Sequence, residues 1–464
     1  MTALADVLHG PTGAQIVAFF DFDGTLVDGY SGDDVWDRLR RGQLGPVEFL
    51  RSAVAGIDYR TRAAEGTRLF PQTVRAWQDL VDLGERLFRS AIAGRVYPEA
   101  RELVATHREM GHTVVLASSA TRYQAATLAR DLDLDHVLCS AIAVEDGVVT
   151  GRVSGPILWG EGKAAAVRAY AVEHDIDLAG CYGYGNGDEA VPFLSAVGHP
   201  RPLNPGMGLA RIAAERGWPV RQLRGRSRPT VLEIARTGAA IGAIGATLAV
   251  GAGIGALNGN RRQTANLVSS IGPQTALAVA GIDFDVTGEE HLWSHRPAVF
   301  IFNHQSVLDV VILGRLLRRD VTGVVKMEAA RDPIFAPIGK LLDVAYVDRG
   351  NREQARAALE PVRQRLAAGI SVAIAPEGTR SVTPRLGAFK KGAFHIAMQA
   401  GVPLVPIVIR NAGDLMWKRS LIVRSGTLHV VALPPVPTHG WTVETLDERV
   451  TEIRQQFVHT LAAE

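Results

Sequence analysis

The sequence predicts an α/β protein with two α/β domains and an apolar helical hairpin between them. Its 464 residues, 47% hydrophobic and 21% charged, have the composition of a globular chain of two or three domains. Near residue 20 an apolar strand pattern ends in an acidic turn, and from about residue 284 strand patterns alternate with helical ones. Residues 237–260 carry no charge. We expect four segments, namely a first domain over 1–205, a basic linker over 206–230, the hairpin over 231–283 and a second domain over 284–464.

The charge of the chain limits its partners. The formal net charge is +2, which provides no broad basic field for DNA, so we expect no nucleic-acid partner. The N-terminal residues lack the basic, apolar and small-residue progression of a signal peptide, and we expect none.

The first candidate site follows the first strand, where Phe20 leads into Asp21-Phe22-Asp23-Gly24-Thr25. Asp21 can attack phosphorus, and Asp23 can protonate the leaving alkoxide and then activate water. A magnesium ion would screen the two carboxylates from the incoming phosphate. Ser118, after the strand pattern at 113–117, can bind a phosphoryl oxygen, and Lys163 can hold the intermediate. The alternative is that the two acids simply lie on a surface turn.

Over residues 15–200 this domain resembles the haloacid dehalogenase superfamily, in particular its phosphoserine phosphatase-like group. The resemblance implies a Rossmann-like fold with a helical cap over about 28–95. It also implies magnesium, with Asp21, Asp23, Asn186 and Asp188 as candidate ligands. The family normally has two acids four residues apart after the last strand, and here the aligned positions are Asn186 and Ala190. Fewer carboxylates should weaken magnesium binding, so a weak phosphatase and a non-catalytic phosphate-binding or scaffold module both remain open.

The second candidate site begins with a histidine followed five residues later by an aspartate, directly after the apolar run 298–302. His304 can take the proton of an alcohol that attacks a thioester, and Asp309 can fix the histidine tautomer and stabilise the imidazolium. Alone, the same pattern also fits a histidine beside a helix start.

Further polar residues follow apolar runs downstream, where the strands of open α/β sheets end and ligands bind. These residues are Lys326, Arg349, Glu377, Gly378, Thr379 and Arg380. Arg349 and Arg380 can hold a phosphate through paired hydrogen bonds. Gly378 lets the backbone approach a ligand closely. The combined set predicts transfer of an acyl group to a phosphorylated alcohol.

Over about 290–435 this set resembles the glycerolipid acyltransferases, specifically the 1-acylglycerol-3-phosphate acyltransferases. The resemblance implies that His304 is the base and Asp309 its orienting partner. It implies that Glu377 and Gly378 position the acceptor, and that Arg349, Arg380 and Lys326 bind its phosphate. No acyl-enzyme, metal or cofactor is expected for acyl transfer. The donor would be acyl-CoA or an acyl carrier protein thioester and the acceptor a lysophospholipid, with another lipid hydroxyl as the alternative.

The uncharged run would form a helix roughly 36 Å long, enough to cross a bilayer. A water-soluble donor implies cytoplasmic active sites, so the segment crosses the membrane an even number of times or not at all. A two-span hairpin would place Arg261 and Arg262 outside, against the positive-inside tendency. We therefore expect a membrane-associated hairpin in the cytoplasmic leaflet, aided by the arginines of 221–228. A Gly/Ala-rich helix buried in the protein is the alternative, and the Gly-x3-Gly pairs fit either an intrachain hairpin or a homodimer.

Overall fold

The structure is a computed structural model that describes residues 3–29, 77–145, 148–223, 229–331, 335–347, 359–418 and 420–462. The chain divides into two compact units, Met1–Arg228 and Pro229–Glu464. Each unit contains one mostly parallel sheet, which confirms the predicted α/β class. Most of the predicted cap lies outside the described residues, and the structure describes only its last part, from Trp77 onward.

The first unit contains a six-stranded sheet in the order β4-β3-β2-β1-β5-β6. Its strands are β1 Val17–Phe20, β2 Thr113–Thr121, β3 His136–Glu145, β4 Val148–Ser154, β5 Tyr182–Gly185 and β6 His199–Pro202. Only the edge strand β4 is antiparallel to its neighbour. All four residues of β1 are buried, as expected for a central strand of a parallel sheet. The turn after β1 therefore lies in the middle of the carboxyl edge of the sheet.

The described α-helices of the first unit are α1 Ala3–Leu8, α2 Trp77–Leu87, α3 Pro98–Glu109, α4 Arg122–Asp131, α5 Glu161–Glu173, α6 Val191–Leu194 and α7 Met207–Arg216. Most of them lie between consecutive strands, whereas α1 precedes β1 and α7 follows β6. Helix α7 corrects the predicted linker over 206–230. Its Leu209 and Ala213 are fully buried, so this stretch is part of the first unit rather than a connection.

The second unit contains a seven-stranded sheet in the order β10-β9-β11-β8-β12-β13-β7. The strands are β7 Ile282–Thr287, β8 Val299–Phe302, β9 Val321–Lys326, β10 Ala345–Val347, β11 Ser371–Ile374, β12 Leu404–Ile409 and β13 Gly426–Ala432. Strands β8 to β12 run parallel, whereas β13 is antiparallel to β12. Alternate residues of β8 enter different cores, Phe300 on one face and Ile301 on the other.

Helices cover both faces of this second sheet. They are α8 Val231–Asn258, α9 Arg261–Ala280, α10 His291–Ser294, α11 Leu308–Leu317, α12 Phe335–Leu341, α13 Leu359–Ala367, α14 Gly392–Ala400, α15 Ala412–Leu415 and α16 Leu446–Ala462. Leu277 of α9 and Ile312 of α11 belong to the Phe300 core. Phe394 of α14 and Phe457 of α16 belong to the Ile301 core.

The predicted hairpin is formed by α8 and α9, and it belongs to the second unit. Added Cβ atoms on Gly251 and Gly255 would meet Val268 and Thr264 of α9, so these glycines allow the two helices to approach within one chain. Pro273 lies inside α9 and packs against α11 at Gly314. Because Gly314 has no side chain, the proline ring can approach the backbone of α11 closely. The hairpin is therefore attached to the acyl-transfer candidate domain along α9.

The turn of the hairpin is also attached to this domain. Arg262 at the start of α9 donates two hydrogen bonds to this domain. Its Nε donates to Asp320 Oδ1 at 2.6 Å, and its Nη1 donates to the backbone oxygen of Ala368 at 3.2 Å. Arg261 donates to the backbone oxygen of Lys340. Among the described residues, α8 is the one helix that is long and apolar enough to cross a membrane by length and composition. Only 11% of its apolar window is buried, so the buried-helix alternative does not describe α8.

Candidate functional site

The second unit places the predicted base and its partner at the carboxyl end of β8. His304 lies in the turn between β8 and α11, and its Nδ1 is 2.8 Å from Oδ2 of Asp309. The same Oδ2 accepts the backbone N–H groups of Gln305 at 2.8 Å and Ser306 at 2.9 Å. Asp309 is fully buried in the first turn of α11, whereas the His304 side chain is 21% exposed. The carboxylate is thus held by the start of the helix while the imidazole keeps one open side.

This hydrogen bond decides which ring nitrogen can act as a base. A carboxylate only accepts, so Nδ1 of His304 carries the proton it shares with Asp309. The Nε2 of the neutral imidazole is then the free acceptor. The structure thus brings His304 and Asp309 together, and their catalytic roles stay predictions.

Glu377, which was expected to position the acceptor, contacts the backbone on both sides of the site. Its Oε1 accepts the backbone N–H of His304 at 2.8 Å, and its Oε2 accepts the backbone N–H of Gly387 at 2.8 Å. The side chain is buried, and this burial raises the pKa of the carboxyl although both N–H donors oppose the shift. Since both oxygens are engaged, Glu377 positions the backbone of His304.

The rest of the turn over 376–380 lies beside the histidine. The backbone N–H of Ser381 donates to the carbonyl oxygen of His304 at 2.7 Å. Gly378 has a φ of +74°, and a Cβ there would lie 3.0 Å from Nζ of Lys390. The Lys390 ammonium therefore lies directly over the Gly378 backbone, at a position that only glycine leaves open. Thr379 is exposed and Arg380 is partly buried.

A cavity of about 640 Å³ opens beside this turn, a size typical of small-molecule sites. Gly378 and Lys390 line it, together with Arg363 and apolar side chains such as Ile374 and Ile396. The cavity has the Lys390 ammonium next to an apolar wall, while Arg363 forms an ion pair with Glu360, which also lines the cavity.

Two contacts in this site had no role in the sequence prediction. Lys418 donates from Nζ to the backbone oxygen of Arg380 at 2.6 Å, which adds a third ammonium or guanidinium group near the turn. The Asn303 side chain donates from Nδ2 to the backbone oxygen of Ile409 and accepts the Ile409 N–H at Oδ1, each at 2.7 Å. These two hydrogen bonds join the ends of β8 and β12. The rarity of lysine, six residues in the chain, was the available signal for Lys418.

Lys326 and Arg349 are the other predicted phosphate ligands. Lys326 is the last residue of β9, whose carboxyl end lies on the same edge of the sheet as that of β8. The Lys326 side chain and the whole of Arg349 lie outside the described residues.

In the first unit, Asp21 directly follows β1, as the sequence predicted, and its side chain is buried. Its Oδ2 lies 2.5 Å from Nζ of the fully buried Lys163, and its Oδ1 accepts the backbone N–H of Phe22 at 2.8 Å. The register of β1 with β2 pairs Phe20 with Leu116, which places Ser118 beside the turn after β1. Three of the predicted residues, Asp21, Lys163 and Ser118, thus meet at one edge.

The predicted metal ligands are not brought together as a set. Asn186 lies against Gly24, and its Oδ1 is 3.4 Å from Oγ1 of Thr25. Asp188 instead accepts the backbone N–H of Leu209 at 2.7 Å, in the first turn of α7. Within the part of the chain that the structure describes, no three His, Cys, Asp or Glu side chains form a group that could hold a metal ion. Asp23, which is partly buried, is therefore not joined by two further acids.

Comparison with known proteins agrees with this division. A haloacid dehalogenase-like hydrolase model matches residues 18–195, and an acyltransferase model matches residues 283–410. "Phosphoserine phosphatase SerB1" of Mycobacterium tuberculosis (strain ATCC 25618 / H37Rv) is 35% identical over 270 residues, which cover 55% of this chain and 83% of that protein. That share is about 255 of 464 residues, more than the 228 of the first unit, so this similarity continues past Arg228.

Two further relatives are named as acyltransferases, the class of the family model that matches the second unit. The "1-acyl-sn-glycerol-3-phosphate acyltransferase" of Saccharomyces cerevisiae (strain ATCC 204508 / S288c) is 35% identical over 187 residues, 39% of this chain and 60% of that protein. The protein of the same name from Limnanthes alba is 32% identical over 205 residues, 44% of this chain and 72% of that protein. The chain therefore belongs to the haloacid dehalogenase-like hydrolases through its first domain and to the acyltransferases through its second.

Proposed function

We propose that the second domain transfers an acyl group from a thioester to the free hydroxyl of lysophosphatidic acid, giving phosphatidic acid. The observation that carries this proposal is the 2.8 Å hydrogen bond between His304 Nδ1 and Asp309 Oδ2, which leaves Nε2 as the base. Nε2 takes the hydroxyl proton while the alcohol oxygen attacks the thioester carbonyl. The carbon–sulfur bond then breaks, and the thiolate leaves with the proton from His304. A positioned base of this kind contributes roughly 10²–10⁴-fold to the rate.

The groups near His304 favour a phosphorylated acceptor. Lys390 lies over Gly378, and Lys418 reaches the backbone of Arg380, so three cationic side chains surround the turn over 376–380. Such groups bind phosphate through charge-assisted hydrogen bonds. Acylation of another lipid hydroxyl is the alternative, and the donor is acyl-CoA or an acyl carrier protein thioester. The partners we propose are therefore this donor, a lysophospholipid and membrane lipids.

We further propose that α8 lies along the cytoplasmic face of the membrane rather than spanning it. Val250 and Leu257 are among its exposed large apolar residues, at 60% and 90% exposure. A two-span hairpin would have to break the bonds of Arg261 and Arg262 with the domain surface. A helix that is exposed on one side and attached to a soluble domain on the other suits a position in one leaflet.

The choice of acceptor tests this function. The full chain would be given labelled acyl-CoA, or labelled acyl carrier protein, with lysophosphatidic acid or with monoacylglycerol of the same chain length. We expect transfer to lysophosphatidic acid and a loss on the order of 100-fold or more without the phosphate, because the cationic groups would lose their partner. Equal rates with both acceptors would favour the alternative.

A further inference from the structure

Within the described residues of the first domain, Asp21 and Asp23 are not joined by a third acid. We propose that this domain has lost the metal site of its family and does not hydrolyse phosphomonoesters in a magnesium-dependent reaction. Magnesium takes oxygen ligands with nearly ideal octahedral geometry, usually one or two carboxylates together with waters and substrate phosphates. In this chain the two positions after β5 where the family has acids are Asn186 and Ala190. The amide oxygen of Asn186 is a neutral ligand, and Ala190 provides none.

The structure shows that Ala190 is part of the core. Its side chain is fully buried in a cluster with Phe193 and Leu194. An added Cβ on Gly185 would lie 2.8 Å from the Ala190 Cβ, so the two residues pack closely. A methyl group fills the place from which a carboxylate would have to reach the site. The loss is thus fixed by packing and does not depend on a side-chain rotation.

The two neighbouring acids do not replace the missing ones. Asp188 caps α7 through the Leu209 N–H at 2.7 Å, and its carboxylate lies against Gly208. The carboxylate of Glu189 folds back over Gly187. Moving Asp188 toward Asp21 would leave the first turn of α7 without its cap, which costs about 1 kcal/mol. No three-acid group occurs among the described residues of this domain.

The remaining charges disfavour a phosphate without a metal. Lys163 lies 2.5 Å from Asp21, so its ammonium is already engaged by a carboxylate of the site. A phosphomonoester carries about −1.5 to −2 charges at neutral pH. Ser118 is neutral, so it adds no positive charge to balance that of the phosphate.

The first test uses the full wild-type chain with magnesium alone and with p-nitrophenyl phosphate. We expect no saturable magnesium binding by calorimetry, no rise in Tm with magnesium, and no magnesium-dependent hydrolysis. Saturable binding, together with hydrolysis that Asp21→Asn abolishes, would overturn the proposal. The result is independent of acyl transfer, because the two activities are measured with different substrates.

The second test restores the acids. In Asn186→Asp/Ala190→Asp we expect magnesium to raise Tm and to promote hydrolysis on the order of 10-fold or more above wild type. Without magnesium its Tm should fall, since the new carboxylate at position 190 is buried and unpaired. Ser195→Asp adds an acid on an exposed neighbour and should give neither effect. If the double variant does not fold, the nearly isosteric Asn186→Asp should still gain magnesium binding. A folded variant without any magnesium response would overturn the assignment to these two positions.

Discussion

Glu377 holds the backbone of His304, because its Oε1 accepts the His304 N–H at 2.8 Å while its Oε2 accepts the Gly387 N–H at the same distance. One buried carboxylate therefore joins the turn after β8 to the segment after β11. The base and the cationic turn over 376–380 are positioned together by this contact. The same carboxylate explains why the two sequence motifs, 73 residues apart, form one site.

Replacing Glu377 by Gln should lower kcat with little change in the acceptor KM. The amide can accept only one of the two N–H groups and points an N–H at the other, which costs about 1–3 kcal/mol. We expect a kcat loss on the order of 10-fold or more, measured with saturating acceptor. A raised KM with unchanged kcat would instead indicate the acceptor contact that the sequence implied.

The stability difference between wild type and Glu377→Gln should depend on pH. Burial raises the pKa of Glu377 above its usual 4.5. The folded chain therefore binds this proton more tightly than the unfolded chain does, and the carboxyl contributes stability in full below pH 4.5. That contribution is lost as pH rises through the raised folded pKa. The Tm advantage of wild type over Glu377→Gln should shrink as pH rises from 4.5 toward neutrality, and an advantage that grows would contradict the shift.

Two adjacent lysines provide a matched pair for phosphate binding. Lys390 lies over Gly378, whereas Lys391 forms an exposed ion pair with Asp447 at 2.6 Å. Lys390→Ala should raise the KM for lysophosphatidic acid about tenfold, equivalent to about 1.4 kcal/mol. Lys391→Ala should change it by less than about twofold, because exposed ion pairs contribute little. Equal effects of both substitutions would argue against a local contact of Lys390 with phosphate.

The exposed side of α8 should determine membrane binding. Val250→Asp and Leu257→Asp each remove an apolar group, worth about 1.5–3 kcal/mol when buried in lipid, and should reduce sedimentation with anionic vesicles. Val443 is also exposed but lies outside the hairpin, so Val443→Asp is the control. Unchanged vesicle binding in both α8 variants would contradict a position of this helix in the leaflet.

The glycines of α8 should differ in their tolerance of a methyl group. Gly251 faces Val268 closely, whereas nothing lies within 4 Å of a Cβ on Gly242. Both Gly→Ala changes gain about 1 kcal/mol of helix propensity. Gly242→Ala should therefore raise Tm, and Gly251→Ala should lower it, because crowding costs about 1–3 kcal/mol. A higher Tm for both variants would show that α8 and α9 pack less closely.

Local patterns were sufficient to predict the positions of Asp21 and His304. Each residue follows a fully apolar strand, and polar groups at the carboxyl end of such a strand lie at the ligand-binding edge of a parallel sheet. The hydrogen bond between His304 and Asp309 also follows from local geometry, since the two residues enclose the start of one helix. These features depend on a few neighbouring residues.

Contacts between distant segments could not be predicted in this way. Lys418 reaches Arg380 across 38 residues, and Arg262 reaches Asp320 across 58. Asp188 was a candidate metal ligand in the sequence, but its partner is the N–H of Leu209 in a helix that was expected to be a linker. Helix α7 is only ten residues long, and Leu209, one of its two buried residues, packs in a core formed by segments that are distant in the sequence.

The most direct measurement compares acyl transfer to lysophosphatidic acid by the intact chain and by His304→Ala. Labelled acyl-CoA of several chain lengths and an acyl carrier protein donor would be used, with Tm as the control for folding. We expect wild-type transfer and a loss of roughly 10²–10⁴-fold in the variant, because Nε2 of His304 is the base. Undiminished transfer by a folded His304→Ala protein, or none by wild type with any donor, would contradict the proposed acyltransferase mechanism.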